Sequence, residues 1–462
     1  MAGLSSPPYW RIMQTPIIAI VGRTNVGKST LFNRLVGHQL AVVDDMPGVT
    51  RDRLYAEVGI GGRIAILVDT GGLVGAENDE LITEVTEQAA AALQEADLLI
   101  MMVDGLVGVI PADHQVADVV RTTGTPCILV VNKMENTADG LHDFWELGVG
   151  EPHRISAHTG YGLQSVTEEI QKKLPDVGPI ERETDETAVA LVGRPNVGKS
   201  AIVNAMLGEE RVIVSDIPGT TRDAVDIAVD YDDRPFRLID TAGLRRGSKR
   251  AEGTEYYSSL RTIRALQRAD VGVLVLDAAE GLSKQDERIS GEIEKAGRGI
   301  VIAANKWDII QDVMSPPEDA TEAERRRFEK THQGDFERIL RYHMPYLEYA
   351  PLVFTSAYTG EGLRELLDTA GDVAEQFARR MDTPEVNRVI QRAMQQHTPP
   401  VRGSRAFKVY YAAQVGTRPP TFVLKCNEPE LCHFSYERYL RNKLRQEFGL
   451  SGVPIRMKLE RR

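Results

Sequence analysis

The sequence is poor in cysteine and has no long apolar run. Its 3 cysteines, Cys127, Cys426 and Cys432, are odd in number and lack metal-ligand partners at short spacing, which argues against a disulfide framework and against a zinc site. The longest apolar run, 98–103, is far short of the ~18 residues that span a bilayer. The first residues also lack the apolar core of a signal peptide, so we interpret 1–15 as a loose leader and expect a cytoplasmic protein.

Positive charge is scarce over most of the chain as well. The 462 residues carry 55 Lys and Arg against 67 Asp and Glu, a formal net charge of −12. Residues 384–462 nevertheless hold 15 basic against 6 acidic side chains, a net charge of +9, whereas residues 1–383 hold 40 against 61, a net charge of −21. An acidic body with a basic C-terminal part indicates contact with nucleic acid or another anionic surface through that part.

What the sequence does contain is an internal repeat. GRTNVGKST at 22–30 recurs as GRPNVGKSA at 193–201, and PGVTRD, DTGGL, NKME and SAHTGYGL recur in the same order as PGTTRD, DTAGL, NKWD and SAYTGEGL. Five motifs in one order predict a duplicated domain. We therefore predict a leader at 1–15, domains at 16–174, 187–381 and 382–462, and a polar linker at 175–186.

Each copy of the repeat alternates short β-branched runs with helical patterns. This alternation predicts an α/β fold, in which a doubly wound and mostly parallel sheet carries helices on both faces. A charged insert at 318–330, found in the second copy, favours a solvated helix. The remaining residues predict a small α+β domain. The predicted strands lie at 17–21, 64–69, 98–104, 127–132, 189–192, 236–240, 271–277, 300–305, 406–414, 421–425 and 455–460, and the predicted C-terminal helices at 384–397 and 436–448.

The first repeated motif has the pattern of a phosphate-binding loop. It follows a predicted strand and opens a predicted helix, a context in which glycines let backbone N–H groups approach phosphates, the lysine reaches the β and γ oxygens and the serine ligates Mg²⁺. A glycine-rich turn is the alternative for one match, but two matches in equivalent contexts argue against it. The predicted phosphate-binding residues are Gly22, Arg23, Thr24, Asn25, Val26, Gly27, Lys28, Ser29, Gly193, Arg194, Pro195, Asn196, Val197, Gly198, Lys199 and Ser200.

An aspartate ends a predicted strand in each copy and begins a small turn. This position brings a carboxylate near Mg²⁺ and a backbone amide near the γ-phosphate. Thr50 and Thr221, which precede these turns, can lend their hydroxyls to Mg²⁺ when the γ-phosphate is present, although simple turn residues are the alternative. We predict Lys28, Thr50, Lys199 and Thr221 as catalytic residues and Ser29, Thr50, Asp69, Ser200, Thr221 and Asp240 as Mg²⁺ ligands. The two turns are Asp69, Thr70, Gly71, Gly72, Leu73 and Asp240, Thr241, Ala242, Gly243, Leu244.

The NKWD motif predicts the identity of the base. The carboxylate of Asp308 can accept two hydrogen bonds from guanine, each about 1.5–3 kcal/mol when charge-assisted, whereas adenine offers no such donor pair. The matching Glu135 is one methylene longer, so its contact is expected to be looser; an exposed loop acid is the alternative. Backbone amides of the Ser-Ala pairs are expected over the guanine oxygen. The predicted residues are Asn132, Lys133, Met134, Glu135, Ser156, Ala157, Asn305, Lys306, Trp307, Asp308, Ser356 and Ala357.

Together these motifs resemble those of translation-factor-related GTPases, and two such domains followed by a small KH-like domain resemble the Der family, also named EngA, of bacterial ribosome-assembly GTPases. The resemblance covers about residues 16–462. It implies GTP hydrolysis with GTP or GDP and Mg²⁺, and action in maturation of the large ribosomal subunit, with rRNA and ribosomal proteins as partners. We expect no membrane contact and a monomeric chain. Glu135, the insert and the leader depart from the family pattern.

The turns after Asp69 and Asp240 lack a water-orienting glutamine. Ras-like enzymes carry one there, whereas this chain has Leu73 and Leu244. Asn25 and Asn196 resemble the asparagine that holds a potassium ion against the phosphates in related GTPases; a loop-shaping role is the alternative. We therefore predict K⁺ as an activator held by these asparagines, with Arg51 and Arg222, which are adjacent to Thr50 and Thr221, as the next candidates.

The basic C-terminal domain contains a GXXG pattern at 449–452. It precedes a strand and does not join two helices, so we interpret it as a helix-ending turn and not as an RNA clamp. Phosphate contact through basic side chains is the alternative route to RNA, while a solvated face or an interface with the acidic domains would also explain the charge. A GTPase acting on tRNA and a nucleotide-dependent scaffold are the competing functions. The basic side chains considered are Arg402, Arg405, Arg438, Arg441, Lys443 and Arg445.

Overall fold

The structure is a computed structural model of the chain. Its contacts define two compact units, one built around the first repeat and one around the second repeat together with the C-terminal residues, and each is treated by itself. The structure describes residues 15–39, 55–60, 63–70, 96–135, 140–175, 186–208, 212–214, 226–240, 255–313, 321–402 and 405–462.

The first unit is built on a six-stranded sheet in the order β2-β3-β1-β4-β5-β6, in which β2 runs antiparallel to β3 and the other neighbours are parallel. Every residue of β1, β4 and β5 is buried, which explains their continuous apolar sequences. The strands are β1 (Ile17–Val21), β2 (Tyr55–Ile60), β3 (Arg63–Asp69), β4 (Leu98–Asp104), β5 (Cys127–Asn132) and β6 (Pro152–Arg154), and the helices α1 (Lys28–Gln39), α2 (Pro111–Thr123), α3 (Leu163–Lys173) and a 3₁₀ helix (His142–Leu147).

The second unit repeats this plan in a seven-stranded sheet of order β13-β12-β11-β7-β10-β9-β8. The strand predicted at 236–240 begins two residues earlier and ends at Ile239, because β10 pairs in a hairpin with β9. Its strands are β7 (Thr187–Val192), β8 (Val212–Val214), β9 (Ile227–Tyr231), β10 (Arg234–Ile239), β11 (Val271–Asp277), β12 (Gly299–Asn305) and β13 (Leu352–Phe354). Its helices are α4 (Lys199–Leu207), α5 (Glu255–Arg268), α6 (Lys284–Ala296), α7 (Trp307–Val313), α8 (Glu322–His343), a 3₁₀ helix (Pro345–Leu347) and α9 (Leu363–Ala378).

Helix α8 contains residues 322–330 of the charged insert and extends well beyond them. Its first turns are exposed at Glu322 and Lys330, as a solvated helix requires. Its last turns are not solvated on all sides, since Leu340 is fully buried and Arg341 donates to the carbonyl oxygens of Leu347 and Ala350, both at 2.7 Å. The prediction of a solvated helix is therefore correct only for its N-terminal part.

The C-terminal residues form an antiparallel pair β16-β17 with β18 parallel to β17, covered by two helices. The single strand predicted at 406–414 is interrupted, because Phe407 turns its ring into the core and donates its N–H to Pro400 O at 3.0 Å. The elements are α10 (Thr383–Gln396), β14 (Val401–Arg402), β15 (Arg405–Ala406), β16 (Val409–Gly416), β17 (Thr421–Cys426), a 3₁₀ helix (Pro429–Leu431), α11 (Phe434–Phe448) and β18 (Arg456–Arg461).

One hydrophobic cluster runs from the second sheet through α9 into the C-terminal helices. Val373 and Phe377 of α9 belong to it together with Leu450 and Val453, all of them buried. Burial of this apolar surface, at roughly 25 cal/mol per Å², binds the C-terminal domain to the second α/β domain.

Candidate nucleotide-binding sites

The loop between β1 and α1 has the geometry of an anion cradle. Gly22 adopts a φ of +146°, and a Cβ there would come within 2.2 Å of the Met102 carbonyl oxygen. A Cβ on Gly27 would come within 2.5 Å of the Asn132 side chain. Gly193 and Gly198 meet the same obstacles in the second domain. Only glycine therefore fits at these positions. The loop leads directly into the N-terminus of the helix, where free backbone N–H groups favour anions.

Lys28 and Lys199 point back into their own loops. The Lys28 ammonium donates to Gly22 O at 2.7 Å and Arg23 O at 2.6 Å, and Lys199 donates to Gly193 O and Arg194 O, both at 2.6 Å. Burial lowers the pKa of Lys28 to about 8 against the opposing attraction of Asp69, and burial lowers that of Lys199 to about 8 against the attraction of Asp286. A phosphate placed in the loop would add negative charge beside these buried ammonium groups.

The arginine after the first loop glycine is tethered to a buried aspartate. Arg23 Nε lies 3.3 Å from Asp113 Oδ1, and Arg194 Nε lies 3.4 Å from Asp286 Oδ2. Each aspartate also accepts a backbone N–H at the start of the next helix, as the Asp286 bond from Ser283 at 3.0 Å illustrates. Burial raises the pKa of both carboxyls. Sequence reasoning missed these aspartates, although they occupy equivalent positions in the two copies.

The predicted aspartates at the strand ends differ in their surroundings. Asp69 is buried at the end of β3, close enough to Lys28 to act on its pKa, and the neighbouring Thr70 hydroxyl donates to Ile20 O at 2.6 Å. Asp240 follows β10 with a φ of +58° and donates its N–H to Asp226 Oδ1 at 3.1 Å. Further predicted residues lie outside the described ranges: Thr50, Arg51, Gly71, Gly72, Leu73, Thr221, Arg222, Thr241, Ala242, Gly243 and Leu244.

The donor set at each loop fits Mg²⁺ brought by a nucleotide. Ser29 and Ser200 stand in the first turn of their helices and one carboxylate, Asp69 or Asp240, ends the neighbouring strand. Within the described part of the chain no cluster of three His, Cys, Asp or Glu side chains could hold a metal by itself. Mg²⁺ is commonly bound by one or two protein oxygens plus substrate phosphates and water, so these few donors match it.

Asn25 and Asn196 occupy a backbone conformation that few side chains adopt. Their φ values are +63° and +66°, in the left-handed region that asparagine tolerates. The Asn25 carbonyl also accepts from the Lys133 ammonium at 3.4 Å. The loop-shaping role that the sequence left open is therefore present, and both side chains are placed in the phosphate-binding loops where the predicted K⁺ would lie.

In each domain one asparagine side chain connects three loops through hydrogen bonds. Asn132 donates to Val26 O at 2.8 Å and accepts the Ala157 N–H at 2.8 Å, while Asn305 donates to Val197 O at 2.8 Å and accepts the Ala357 N–H at 3.1 Å. The phosphate-binding loop, the base-recognition motif and the Ser-Ala loop are thus held together. These alanine amides donate within the protein, so their predicted contact with the guanine oxygen stays a prediction.

The lysine of each base-recognition motif is anchored by an acid that sequence reasoning missed. Lys133 donates to Asp104 Oδ2 at 2.6 Å, and Lys306 donates to the carboxylate of Asp277. Burial opposes ionisation of Asp104 and Asp277, but the lysine and backbone hydrogen bonds outweigh it and lower the pKa of both carboxyls. The signal was available, since an aspartate ends the third apolar run of each copy.

The base-recognition acids lie at the surface. Glu135 is exposed, and Asp308 is half-buried in the first turn of α7. Between each acid and its lysine stands a buried apolar side chain, Met134 or Trp307. Both carboxylates are therefore accessible to a ligand while their neighbours anchor the turn.

The basic C-terminal side chains divide between two environments. Arg445 lies over the Tyr349 ring at 4.3 Å and donates to Val453 O at 3.3 Å, and Arg441 pairs with Glu437 on its own helix and attracts Glu294 of α6. The Arg402 side chain lies outside the described set. Arg438 is exposed, Lys443 is half-buried, and Arg405 pairs with Glu428 at 2.8 Å. Interface contact with the second domain thus explains Arg445.

The GXXG pattern forms a helix-ending turn, as predicted. Gly449 ends α11 with a φ of +66°. Gly452 donates to Tyr349 O at 2.8 Å and accepts the Ile300 N–H at 2.7 Å, which places it against the first residues of β12. A Cβ on Gly452 would approach Val373 to 2.6 Å and Ile300 O to 2.7 Å. The turn is committed to the second α/β domain and does not face outward as a clamp would.

Comparison with known proteins gives these two domains a class. A family model described as "50S ribosome-binding GTPase" matches residues 17–133 and 188–306, and one described as "KH-domain-like of EngA bacterial GTPase enzymes, C-terminal" matches 380–460. The chain therefore contains two P-loop GTPase domains in tandem followed by a KH-like domain, and it hydrolyses GTP. A structure of an Aquifex aeolicus Era variant bound to GDP·AlF4⁻ is 22% identical, covering 60% of this chain and 93% of that one, with a TM-score of 0.30.

Two relatives define the family more narrowly. GTPase Der of Caldanaerobacter subterraneus subsp. tengcongensis is 44% identical over 453 residues, which cover 97% of this chain and 99% of the relative. GTPase Der of Geobacillus sp. strain WCH70 is 45% identical over 448 residues, covering 96% and 99%. The chain belongs to the GTPase Der family. Among the residues that the structure describes, we find no helix with the length and hydrophobicity to cross a bilayer.

Proposed function

We propose that this GTPase acts in ribosome biogenesis in the cytoplasm, as a monomer that binds precursors of the large subunit. The family model that matches both nucleotide domains is described as a 50S ribosome-binding GTPase. The observation that carries the proposal is the packing of a basic domain directly against a nucleotide domain. Backbone hydrogen bonds of Gly452 with Ile300 and Tyr349 join the two. A nucleotide switch and an anion-binding surface in one unit suit a factor that binds and leaves an RNA particle.

The proposed nucleotide contacts follow from the site geometry. The loops 22–29 and 193–200 would hold the phosphates, with Lys28 and Lys199 turning from their carbonyl partners toward the γ-phosphate oxygens. Mg²⁺ would neutralise phosphate charge, held by Ser29, Thr50 and Asp69 in the first domain and by Ser200, Thr221 and Asp240 in the second. Glu135 and Asp308 would accept hydrogen bonds from guanine.

K⁺ activation is part of the same proposal. Leu73 and Leu244 cannot orient water or stabilise charge, so another group must do so. Asn25 and Asn196 stand in the phosphate-binding loops and carry the side-chain oxygens that a monovalent cation requires. Both asparagines would hold the cation where other GTPases place an arginine.

The proposed RNA-facing surface differs from the one expected from charge alone. Arg445 is used inside the protein, whereas the outer face of the β16-β17-β18 sheet presents Tyr410 and Tyr411, 43% and 48% exposed, because a bulge between Val409 and Tyr411 interrupts the alternation. Arg462 lies 5.1 Å and Lys408 5.9 Å from the Tyr410 ring. Aromatic rings beside cations suit RNA bases and phosphates.

Sedimentation of the full chain with large ribosomal subunits tests this function. We expect association to depend on whether GTP or GDP is present and to fall steeply with salt, since each neutralised phosphate releases a counterion. Lys408→Glu and Lys458→Glu, at exposed basic positions of this sheet, should weaken association and reduce the salt slope, and Lys172→Glu in the first domain is the matched control. Equal association in all three variants would contradict the proposed surface. Deleting 384–462 is a poor test because it strips the shared core around Phe377.

A further inference from the structure

The base-recognition motif of the second domain contains a tryptophan held by packing alone. Trp307 is 3% exposed, and among the described residues its indole N–H has no hydrogen-bond partner. Its ring centroid lies 4.4 Å from that of Phe354 and 5.9 Å from that of Phe336, the latter edge-to-face at 79°. Because no hydrogen bond from the described residues fixes the indole ring, its position depends on packing against its apolar neighbours, among them these two aromatic rings.

Phe336 comes from α8, the helix that contains the insert of the second copy. Helix α8 also reaches α7 through Gln311, whose Nε2 donates to Glu329 Oε1 at 3.0 Å. Helix α7 begins at Trp307 and carries Asp308 in its first turn. The C-terminal end of α8 is anchored in the core, since Leu340 is fully buried, and this end holds the helix in place. Two contacts therefore connect α8 to the turn that presents Asp308.

In the described part of the first domain, the residue that matches Trp307 is packed without such a helix. Met134, at the position of Trp307, is 2% exposed and fills space left by Gly105, where a Cβ would lie 2.3 Å from Met134 Cγ. The residue matching Gly105 in the second domain is Ala278, which packs in the Trp307 cluster. Between 140 and 154 the described residues of the first domain form a 3₁₀ helix and β6, with no long helix at this place.

We propose that Phe336 is a positioning residue for guanine recognition in the second domain. It wedges the Trp307 indole against Phe354 and thereby fixes the first turn of α7, from which the Asp308 carboxylate faces the ligand. The inference rests on the proposed contact of Asp308 with guanine. It gives α8, the long helix of the second copy, a role in specificity: this helix braces the base-recognition turn from outside the motif.

The test measures how well the second site discriminates GTP from ITP. ITP lacks the exocyclic amine that would donate a hydrogen bond to the Asp308 carboxylate. The chain has 3 tryptophans, so a Trp10→Phe, Trp145→Phe background leaves Trp307 as the sole tryptophan fluorophore and as reporter of the second site. We expect Phe336→Ala to weaken GTP binding about tenfold and ITP binding much less, because one charge-assisted hydrogen bond becomes poorly aligned. The ITP to GTP ratio of dissociation constants should fall toward one.

Matched variants separate this role from a general loss of stability. Ile339→Ala truncates an exposed side chain, 51% accessible, on the same helix and should keep the ratio of the unmodified chain. Phe336→Leu keeps most of the apolar contact and should restore most of the ratio. If Phe336→Ala lowers the melting temperature, the ratios of all variants are compared at a temperature at which this variant is fully folded.

The outcomes divide as follows. A ratio lowered by Asp308→Ala but unchanged by Phe336→Ala overturns the positioning role and leaves the guanine contact intact. A ratio unchanged by Asp308→Ala overturns the guanine contact and the positioning role with it. A ratio lowered equally by Ile339→Ala and Phe336→Ala also contradicts the inference, because it reports a loosened helix and no specific wedge.

Discussion

The two GTPase domains carry the same motifs but support them differently. Among the residues that the structure describes, Arg23 of the first loop pairs with one carboxylate, that of Asp113, whereas Arg194 lies 3.4 Å from Asp286 and 2.7 Å from Glu280 and donates to Gly281 O at 3.3 Å. The base-recognition turns differ in the same direction, since Met134 fills a gap beside Gly105 while Trp307 sits in an aromatic cluster. The proposed phosphate-binding loops are alike in the two domains, whereas the contacts that support them differ.

This difference predicts that the second site is the more selective and the more rigid of the two. Asp308 has the shorter side chain and a helical turn beneath it, whereas Glu135 is longer and exposed.

The largest effect concerns the cation, and it should not distinguish the domains. We expect GTP hydrolysis to be on the order of 10³-fold faster in K⁺ than in Na⁺ at equal ionic strength if the ion takes the place of an arginine finger. Asn25→Gly and Asn196→Gly should each remove the difference in one domain. Glycine is preferred to alanine because both asparagines have left-handed φ values, +63° and +66°. Phosphate release in the two salts is the measurement, and equal rates in the unmodified chain would refute K⁺ activation.

The next effect concerns base selectivity and should separate the domains. Asp308→Ala removes the acceptor of two charge-assisted hydrogen bonds, so the second site should lose about 100-fold in preference for GTP over ATP. Glu135→Ala should cost the first site less, because its contact starts looser. Glu135→Asp should bring the first site closer to the second. Competition calorimetry measures all three, and a larger loss for Glu135→Ala would reverse the proposed order.

Proton linkage gives a smaller effect of equal size in both domains. The free loops hold Lys28 and Lys199 with pKa lowered to about 8 by burial, and a bound phosphate favours the charged lysine. Nucleotide binding above pH 8 must therefore take up a proton, and affinity should fall by up to about tenfold per pH unit there. Below pH 7 affinity should not vary on this account. Calorimetry in buffers of different ionisation enthalpy would detect the proton uptake, and its absence at pH 9 would contradict the lowered pKa.

The smallest effect tests the second tether of Arg194. Glu280 is 63% exposed, and exposed ion pairs contribute about 0–1 kcal/mol, so Glu280→Ala should weaken nucleotide binding at the second site less than about fivefold. Val107→Glu, at the matching position of the first domain, is the reciprocal change and should strengthen the first site by a similar small factor. A loss at the first site on Glu280→Ala would show that the effect is not local.

Sequence reasoning found the parts of the sites that lie within contiguous motifs. The phosphate-binding loops begin and end where the strand and helix patterns place them, because Gly22 and Gly27 are required by the backbone itself. The contacts of Asn132, Asp104 and Asp113 join residues that are far apart in sequence. No local sequence pattern therefore indicates their partners. The interruption between β15 and β16 was not predicted for a similar reason, since it depends on the tertiary burial of Phe407.

The junction at Gly452 has a mechanical consequence. Its carbonyl holds the N–H of Ile300 near the start of β12, and the same strand ends at Asn305, which binds the phosphate-binding loop through Val197 and the Ser-Ala loop through Ala357. A strand is stiff along its length because its ladder bonds are shared with both neighbours, here β11 and β13. If a docked particle pulled on the C-terminal domain, the load would pass along this one strand toward the proposed nucleotide site of the second domain.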